Sequence, residues 1–235
     1  MSQDNHGPAF LQHHFFTPQQ QFGTSKLGMW LFLAQEVLFF SGLFVAYFIY
    51  RAWYPEAFTV ASHLLDWHMG AINTGVLLLS SFTAAMAVRA SQQGKQKETG
   101  HWILATIVFA FGFMIVKYFE YTHKFHVGFI PGNLFNPTFS EGMPEIQQAM
   151  AETTYLGVEI APVAMRSFFG IYFMMTGVHG LHVLIGIGVF AWLYVKNSRG
   201  AFSADYYTPI DLAALYWHLV DLIWIYLFPL LYLID

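Results

Sequence analysis

Five long apolar stretches dominate the chain, and polar segments with turn-forming residues separate them, for example Ser91-Gln92-Gln93-Gly94. A helix needs about 20 consecutive, mainly apolar residues to cross a membrane. Each apolar stretch meets this length. We therefore predict an all-α integral membrane protein, a bundle of five transmembrane helices. The predicted spans are about 27–49, 69–88, 102–121, 167–195 and 212–234.

Two polar segments complete the predicted organisation. Residues 1–25 are rich in Gln, His and Pro and predict a loosely ordered tail ahead of a membrane domain at 26–235. The connection between the third and fourth spans, residues 123–166, is long and carries several glutamates. Its stretch 143–156 opens at Pro144 and is compatible with a short helix at the membrane interface. Loops of this length are usually functional or disordered.

Composition narrows the class of protein further. Apolar residues make up 56% of the chain and charged residues only 10%, whereas soluble domains carry about 25% charged residues. This balance excludes a soluble enzyme domain, a nucleic-acid-binding protein and a disordered protein. The chain has no cysteine, which excludes disulfides, thiolate metal sites and iron–sulfur clusters.

The distribution of lysine and arginine predicts the orientation, because cytoplasmic loops carry an excess of these residues. An inner N-terminus places six of the ten basic residues inside and four outside, and with five spans it places the C-terminus outside. The inner residues would be Lys26, Arg89, Lys95, Lys97, Lys196 and Arg199, and the outer ones Arg51, Lys117, Lys124 and Arg166.

Glu36 lies near the middle of the first predicted span. A charge at the bilayer centre costs about 2.5–3.5 kcal/mol on insertion scales, so such a residue is a candidate for function. We interpret it as a carboxyl group that faces a lipid headgroup, a proton path or a partner. The alternative is a protonated glutamate that is hydrogen-bonded to a neighbouring helix.

Histidines and an aspartate form two further pairs inside the spans. His179 and His182 are three residues apart on the fourth span, and His218 and Asp221 repeat this spacing on the fifth, so each pair shares a helix face. Metal or haem ligation is one interpretation. We favour hydrogen bonding between helices, because no set of histidines crosses three or more spans at one depth.

Lys117, Glu120 and Lys124 form a helical series near the outer end of the third span. We interpret them as a charge cluster at the membrane interface, with the lysine side chains reaching toward water. The chain contains no nucleotide-binding loop, HExxH motif or GxSxG motif. The residues alone therefore predict no catalytic centre.

Three motifs resemble subunit III of the haem–copper terminal oxidases, and the resemblance extends from Lys26 to Tyr232. The segments that carry it are Leu27–Phe32 continuing through Gln35–Gly42, Gly177–Val183, and Tyr216–Asp221 followed by Trp224. Asn73–Leu78 and Glu120-Tyr121 support them. The chain is similar to the short bacterial form, which lacks the first two helices of larger members.

The resemblance implies a non-catalytic subunit of a complex in the bacterial inner membrane that reduces oxygen to water and pumps protons. No haem, copper or other metal is expected on this chain, since the family leaves these to the catalytic subunit. Glu36 would lie beside a lipid-filled cleft and subunit I. The conserved polar set would be Glu120, His179, His182, His218 and Asp221. The expected partners are subunits I and II and phospholipids, and the expected role is to support subunit stability, proton uptake and oxygen access.

Some positions depart from the family pattern. Tyr206-Tyr207 stand where many members carry a histidine pair, and Asp211 stands where glutamate is common. Lys196, Arg199 and Trp217 are candidate contacts to lipid headgroups on the inner side. We expect the loop 123–166 to dock on an outer partner such as a cytochrome c domain or another respiratory complex.

Several functional alternatives remain. A cytochrome c oxidase is the first expectation, and a quinol oxidase or a nitric-oxide-reducing complex is the nearest alternative. A membrane cytochrome with His179, His182 and His218 as ligands, and a transporter that conducts through Glu36 and Asp221, are the rivals from other classes.

Overall fold

The computed structural model describes residues 10–129, 154–155, 158–159 and 162–234. Within these ranges it contains six helices and a pair of two-residue antiparallel strands. The helices are α1 (Pro18–Trp53), α2 (Pro55–His63), α3 (Trp67–Gln92), α4 (Gln96–Val127), α5 (Pro162–Ser198) and α6 (Thr208–Tyr232). The strands are β1 (Thr154–Tyr155) and β2 (Val158–Glu159). Five helices, all except α2, are long and apolar enough to cross a membrane, which confirms the predicted fold class.

Capping residues explain why several helices are longer than the predicted spans. The Thr17 hydroxyl accepts a hydrogen bond from the Gln20 amide at 3.1 Å, and Pro18 occupies the first turn of α1, a position that suits proline. The prediction of a loose tail through residue 25 is therefore wrong for residues 18–25, which are helical. Gly128, with φ at 86°, ends α4 in the left-handed conformation that favours glycine.

The predicted loop 123–166 is partly helical, because α4 continues through Val127 and α5 begins at Pro162. Most of the stretch 143–156 that was compatible with an interfacial helix lies outside the described residues. Its two described residues, 154–155, form β1.

Helix α2 is an element that the hydrophobic pattern did not predict. Tyr54 separates this helix from α1, and Pro55 then starts nine helical residues. Ala57, Phe58 and Ala61 form the buried face of this helix. The ring of Phe58 packs edge-on against Phe168 of α5, with the ring centroids 5.1 Å apart. Contact with the bundle therefore stabilises a segment that is too short to span.

The core lies between α3, α4, α5 and α6, and α1 is peripheral. In the most apolar 18-residue stretch of α6, half of the residues are buried, compared with 17% of those in the corresponding stretch of α1. Trp217 and Trp224 of α6 are fully buried. Helix α1 packs on α2, α5 and α6. Its buried residues Leu33, Phe40 and Tyr47 recur every seven positions on one face, so most of its apolar surface faces outward.

The segment before α1 and the start of α1 pack against the connection between α5 and α6. Phe10 stacks on Tyr206 with 4.9 Å between the ring centroids, and Phe22 packs on Tyr207 at 5.9 Å. The Gln21 side chain donates to the Phe10 carbonyl oxygen at 3.2 Å. Tyr206 therefore anchors the segment before α1, and Tyr207 packs on the start of α1.

Candidate functional site

Glu36 and His182 form a hydrogen-bonded pair between α1 and α5. The Glu36 Oε2 atom lies 3.0 Å from Nε2 of His182, and both side chains are largely buried. The other ring nitrogen, Nδ1, lies 2.8 Å from the Val178 carbonyl oxygen. A carbonyl only accepts, so Nδ1 carries a proton. The hydrogen bond between Nε2 and Oε2 then holds one further proton, which either group can carry.

An apolar groove of about 660 Å³ between α1 and α6 begins next to this pair. Val37, Phe40 and Phe44 form its α1 wall, and Leu222 and Tyr226 lie on its α6 wall. Its lining is almost entirely apolar, so its surface suits a hydrocarbon chain or an apolar side chain.

His179 has quite different surroundings from His182, although the spacing predicted a shared helix face. Its ring is fully buried between Phe113 and Trp224, with ring centroids 5.6 Å and 5.2 Å away. Neither ring nitrogen has a hydrogen-bond partner among the described residues. The structure therefore places His179 in an aromatic core and only His182 beside Glu36.

His218 and Asp221 lie on the side of α6 that faces α3. Nδ1 of His218 lies 2.6 Å from the Ser81 hydroxyl oxygen, and Ser81 also lies beside the Asp221 carboxylate. Among the described residues, no hydrogen bond joins His218 or Asp221 to His179 or His182. Within the described part of the chain, no group of three or more His, Cys, Asp or Glu side chains is arranged to hold a metal ion.

Glu120 organises a buried charged cluster between α4, α5 and α6. Its carboxylate accepts a hydrogen bond from Lys117 Nζ at 2.8 Å and one from the Tyr172 hydroxyl at 2.7 Å. The Tyr232 hydroxyl also donates to it, and Lys124 Nζ lies 3.7 Å away. Lys117 Nζ lies 4.5 Å above the centre of the Trp224 ring, within the range of a cation–π interaction.

The interpretation of this cluster as an interfacial group reaching toward water is therefore wrong. Lys117, Glu120 and Lys124 are only 6%, 2% and 3% exposed. Burial of a charge requires pairing and hydrogen bonding, and here a carboxylate between two lysines and two tyrosine hydroxyls meets that requirement. The side chains consequently point into the bundle.

Tyr172 and Tyr232 are functional candidates that the sequence reasoning missed. Both lie in apolar stretches, and tyrosine is common at membrane interfaces for other reasons. Only the packing of α5 and α6 on α4 shows that they share one carboxylate.

The candidate lipid-contact residues differ in their exposure. Lys196 and Arg199 are exposed at the end of α5. Trp217 is fully buried, and its ring nitrogen donates to the Ser80 hydroxyl at 2.9 Å. The prediction that Trp217 contacts a lipid headgroup is therefore wrong, because its helix turns this side chain toward α3. Asp211 pairs with Lys26 at 3.1 Å, between α6 and α1.

Comparison with known proteins gives the chain's relationships. The family model for cytochrome c oxidase subunit III matches residues 6–139 and 146–235. The chain is 26% identical over 209 residues to quinol oxidase subunit 3 of Bacillus subtilis (strain 168), covering 89% of this chain and 86% of the relative. It is 27% identical over 214 residues to the probable cytochrome c oxidase subunit 3 of Nocardia farcinica, covering 89% and 87%.

A longer relative is cytochrome c oxidase subunit 3 of Gadus morhua, with 28% identity over 232 residues that cover 95% of this chain and 73% of the relative. The family match includes the motifs around Glu36, His179–His182 and His218–Asp221. Since the match extends over nearly the whole sequence, the chain belongs to the cytochrome c oxidase subunit III family.

Proposed function

We propose that this chain is a non-catalytic subunit of a bacterial respiratory terminal oxidase that reduces oxygen to water and pumps protons. In this proposal it stabilises the haem–copper catalytic subunit, holds phospholipids and supports proton uptake and oxygen access. The haem and copper belong to the partner subunits, and this chain binds neither. The observation that carries the proposal is the Glu36–His182 pair between the peripheral helix α1 and helix α5.

The position of this pair favours a partner on the α1 side. Helix α1 buries little of its apolar surface within the chain, and its exposed residues include Leu31, Leu38 and Val45. The side chains of Glu36 and His182 are 13% and 14% exposed. A partly exposed ionisable pair within a membrane span is costly, so a protein or lipid neighbour that covers it would lower this cost.

The chemistry of the pair suits a role in proton supply. One proton lies between Oε2 of Glu36 and Nε2 of His182, and it can reside on either atom. A neighbouring subunit that takes up protons would find a group here that can release one. The adjacent groove of about 660 Å³ would hold lipid tails against the same face.

Cytochrome c is the expected electron donor, with quinol as the alternative, and subunits I and II are the expected partners. The similar proteins from Nocardia farcinica and Bacillus subtilis carry the names of both oxidase types. The proposed location is the bacterial inner membrane with the N-terminus inside. The loop 123–166, much of which lies outside the described residues, is proposed to dock an outer partner.

Purification of the chain in mild detergent tests the accessory role. We expect haem spectra and oxygen consumption with reduced cytochrome c in the intact preparation, and no haem on the chain after its partners are stripped away. Reduced quinol as the donor provides the comparison between oxidase types. Haem that stays on the stripped chain would contradict the proposal and favour the histidines as ligands.

The variant Glu36→Gln tests the proton role separately. Glutamine can still hydrogen-bond to His182 but cannot exchange a proton, so we expect normal assembly with faster loss of activity during turnover. The matched control is Glu56→Gln on α2, where the glutamate is exposed. A turnover lifetime equal to that of the wild type would count against a role for Glu36.

A further inference from the structure

A cavity of about 400 Å³, lined by both ionisable and apolar residues, lies at the end of the bundle where α2 ends and α3 begins. His63, Asp66 and His123 are exposed residues of its wall, whereas Glu120 and Lys124 in the same wall are buried. We call this cavity the vestibule. Its lining residues are His63, Leu64, Leu65, Asp66, Met69, Glu120, His123 and Lys124.

The vestibule is continuous with the buried charged cluster, because Glu120 and Lys124 belong to both. Charges alternate from the exposed end inward: Asp66 acts electrostatically on Lys124, Lys124 lies 3.7 Å from Glu120, and Glu120 lies 2.8 Å from Lys117. Liquid water occupies about 30 Å³ per molecule, so a cavity of this size holds on the order of ten waters. The vestibule is therefore large enough to hold water beside Glu120, and the Glu120 carboxylate is a group that water can hydrate.

The opposite side of the cluster is closed by aromatic side chains. The Trp224 ring covers Lys117, and Phe113 packs edge-on against Trp224 with 4.9 Å between the centroids. Both rings are fully buried. A second groove, between α4 and α5, also touches Lys117, but its lining is mainly apolar and includes the exposed Leu181. Among the described residues, the polar approach to Glu120 runs through the vestibule.

We propose that the vestibule is a water-filled proton-exchange site, through which Glu120 gains and loses protons with the aqueous phase at this end of the bundle only. In the uptake step a hydronium ion in the vestibule gives its proton to a carboxylate oxygen of Glu120 and remains as water. Lys117 and Lys124 then lose their anionic partner, so uptake is coupled to hydration of Lys124, which borders the same water. The groups that face Glu120 are Lys117 and Lys124 from α4, Tyr172 from α5 and Tyr232 from α6, with His63, Asp66 and His123 across the cavity.

Access is testable by cysteine labelling, because the chain has no cysteine of its own. Met69→Cys places a thiol on the vestibule wall. The protein with its co-purifying subunits is reconstituted in sealed vesicles, and a membrane-impermeant, positively charged methanethiosulfonate is added to one side at a time. We expect labelling of this chain from one side only, read from the mass of the separated chain.

The matched control is Met114→Cys, which lies in the apolar groove between α4 and α5. We expect no labelling there by the charged reagent from either side. A Met69→Cys thiol that reacts only after denaturation would overturn the proposal, and so would equal labelling from both sides.

Proton exchange is measured by infrared difference spectroscopy after acid is added on one side of the vesicles. We expect an infrared band from a protonated carboxyl group, and the Glu120→Gln variant should lack it. The band should appear only when acid is added on the side from which the Met69→Cys thiol is labelled. Attaching the methanethiosulfonate reagent to the thiol of the Met69→Cys variant should slow the appearance of this band at least tenfold in the same folded protein. A band that rises at the same rate with and without the label, or with acid on the other side, would overturn the proposal. Oxygen consumption, measured separately, distinguishes this result from failure of the proposed oxidase role.

Discussion

The contact between Gly186 of α5 and Trp217 of α6 permits a sharp test of the packing. A Cβ atom added at Gly186 would lie 2.4 Å from Cζ3 and 2.7 Å from Cε3 of Trp217. Carbon atoms in contact are about 3.5–4.0 Å apart, so the ring would have to move by about 1 Å. The substitution Gly186→Ala therefore acts directly on a close contact between these two helices.

The surroundings of Trp217 leave little room for that movement. The ring is fully buried, its nitrogen donates to the Ser80 hydroxyl at 2.9 Å, and Phe190 packs against it at 5.6 Å. Overpacking of a filled core costs about 1–3 kcal/mol. Loss of the hydrogen bond to Ser80 would add about 0.5–1.5 kcal/mol. We therefore expect Gly186→Ala to reduce the free energy of unfolding by about 1.5–4.5 kcal/mol in total.

The control lies two residues further along the same helix. A Cβ atom at Gly188 meets no described atom within 4 Å, so Gly188→Ala should leave stability unchanged or raise it slightly, since alanine favours the helix. The assay is the midpoint of thermal unfolding in mild detergent, together with the half-life of the folded state at a fixed temperature. Equal midpoints for the two variants would refute the packing argument.

A double-mutant cycle checks the assignment to Trp217. The change Trp217→Leu removes the ring that the new methyl group would meet, so Gly186→Ala should cost less in that background. Residues in contact typically show coupling energies of about 0.5–3 kcal/mol. Additive effects of the two changes would place the origin of the destabilisation elsewhere.

Three further predictions concern polar and aromatic contacts. Glu120→Gln leaves Lys117 and Lys124 without their carboxylate and should reduce the free energy of unfolding by about 3–5 kcal/mol, whereas Glu98→Gln, at an exposed pair with Lys95, should not change the melting midpoint. Tyr121→Phe removes the 2.6 Å hydrogen bond to Thr176 and should reduce the free energy of unfolding, measured by chemical denaturation, by about 0.5–1.5 kcal/mol. Tyr118→Phe, at an exposed ring, serves as its control. Tyr206→Ala removes the ring on which Phe10 stacks, so chymotrypsin should cut the segment before α1 faster, and an unchanged cutting rate would contradict the anchoring role.

The hydrophobic pattern predicts the five spans well because lipid offers the backbone no hydrogen-bond partners, so an apolar stretch of sufficient length must be helical. The same pattern is weak at helix ends. The polar first turns of α1 carry no hydropathy signal, yet Thr17 and Pro18 start the helix there. Helix α2 was not predicted because hydropathy does not report tertiary contacts. Its nine residues are stabilised by the packing of Phe58 on Phe168.

The direction in which each side chain points was harder to predict. A span that is apolar on every face has no amphipathic signal to separate its core side from its lipid side. Trp217 was therefore assigned to a lipid contact although it is fully buried, and Lys117 and Lys124 were assigned to the interface although they lie in the core. His179 and His182 were expected to share surroundings, but only His182 meets Glu36.

The sequence by itself determined the number of spans and the family, because both depend on local hydropathy and on short motifs. The tertiary structure alone decided which polar groups meet. Glu36 and His182 are 146 residues apart, and Glu120 and Tyr232 are 112 apart, so no local pattern relates them. The physical reason is that a buried charge must find its partner across a helix interface, and the packing of α1, α4, α5 and α6 selects which side chains come within reach.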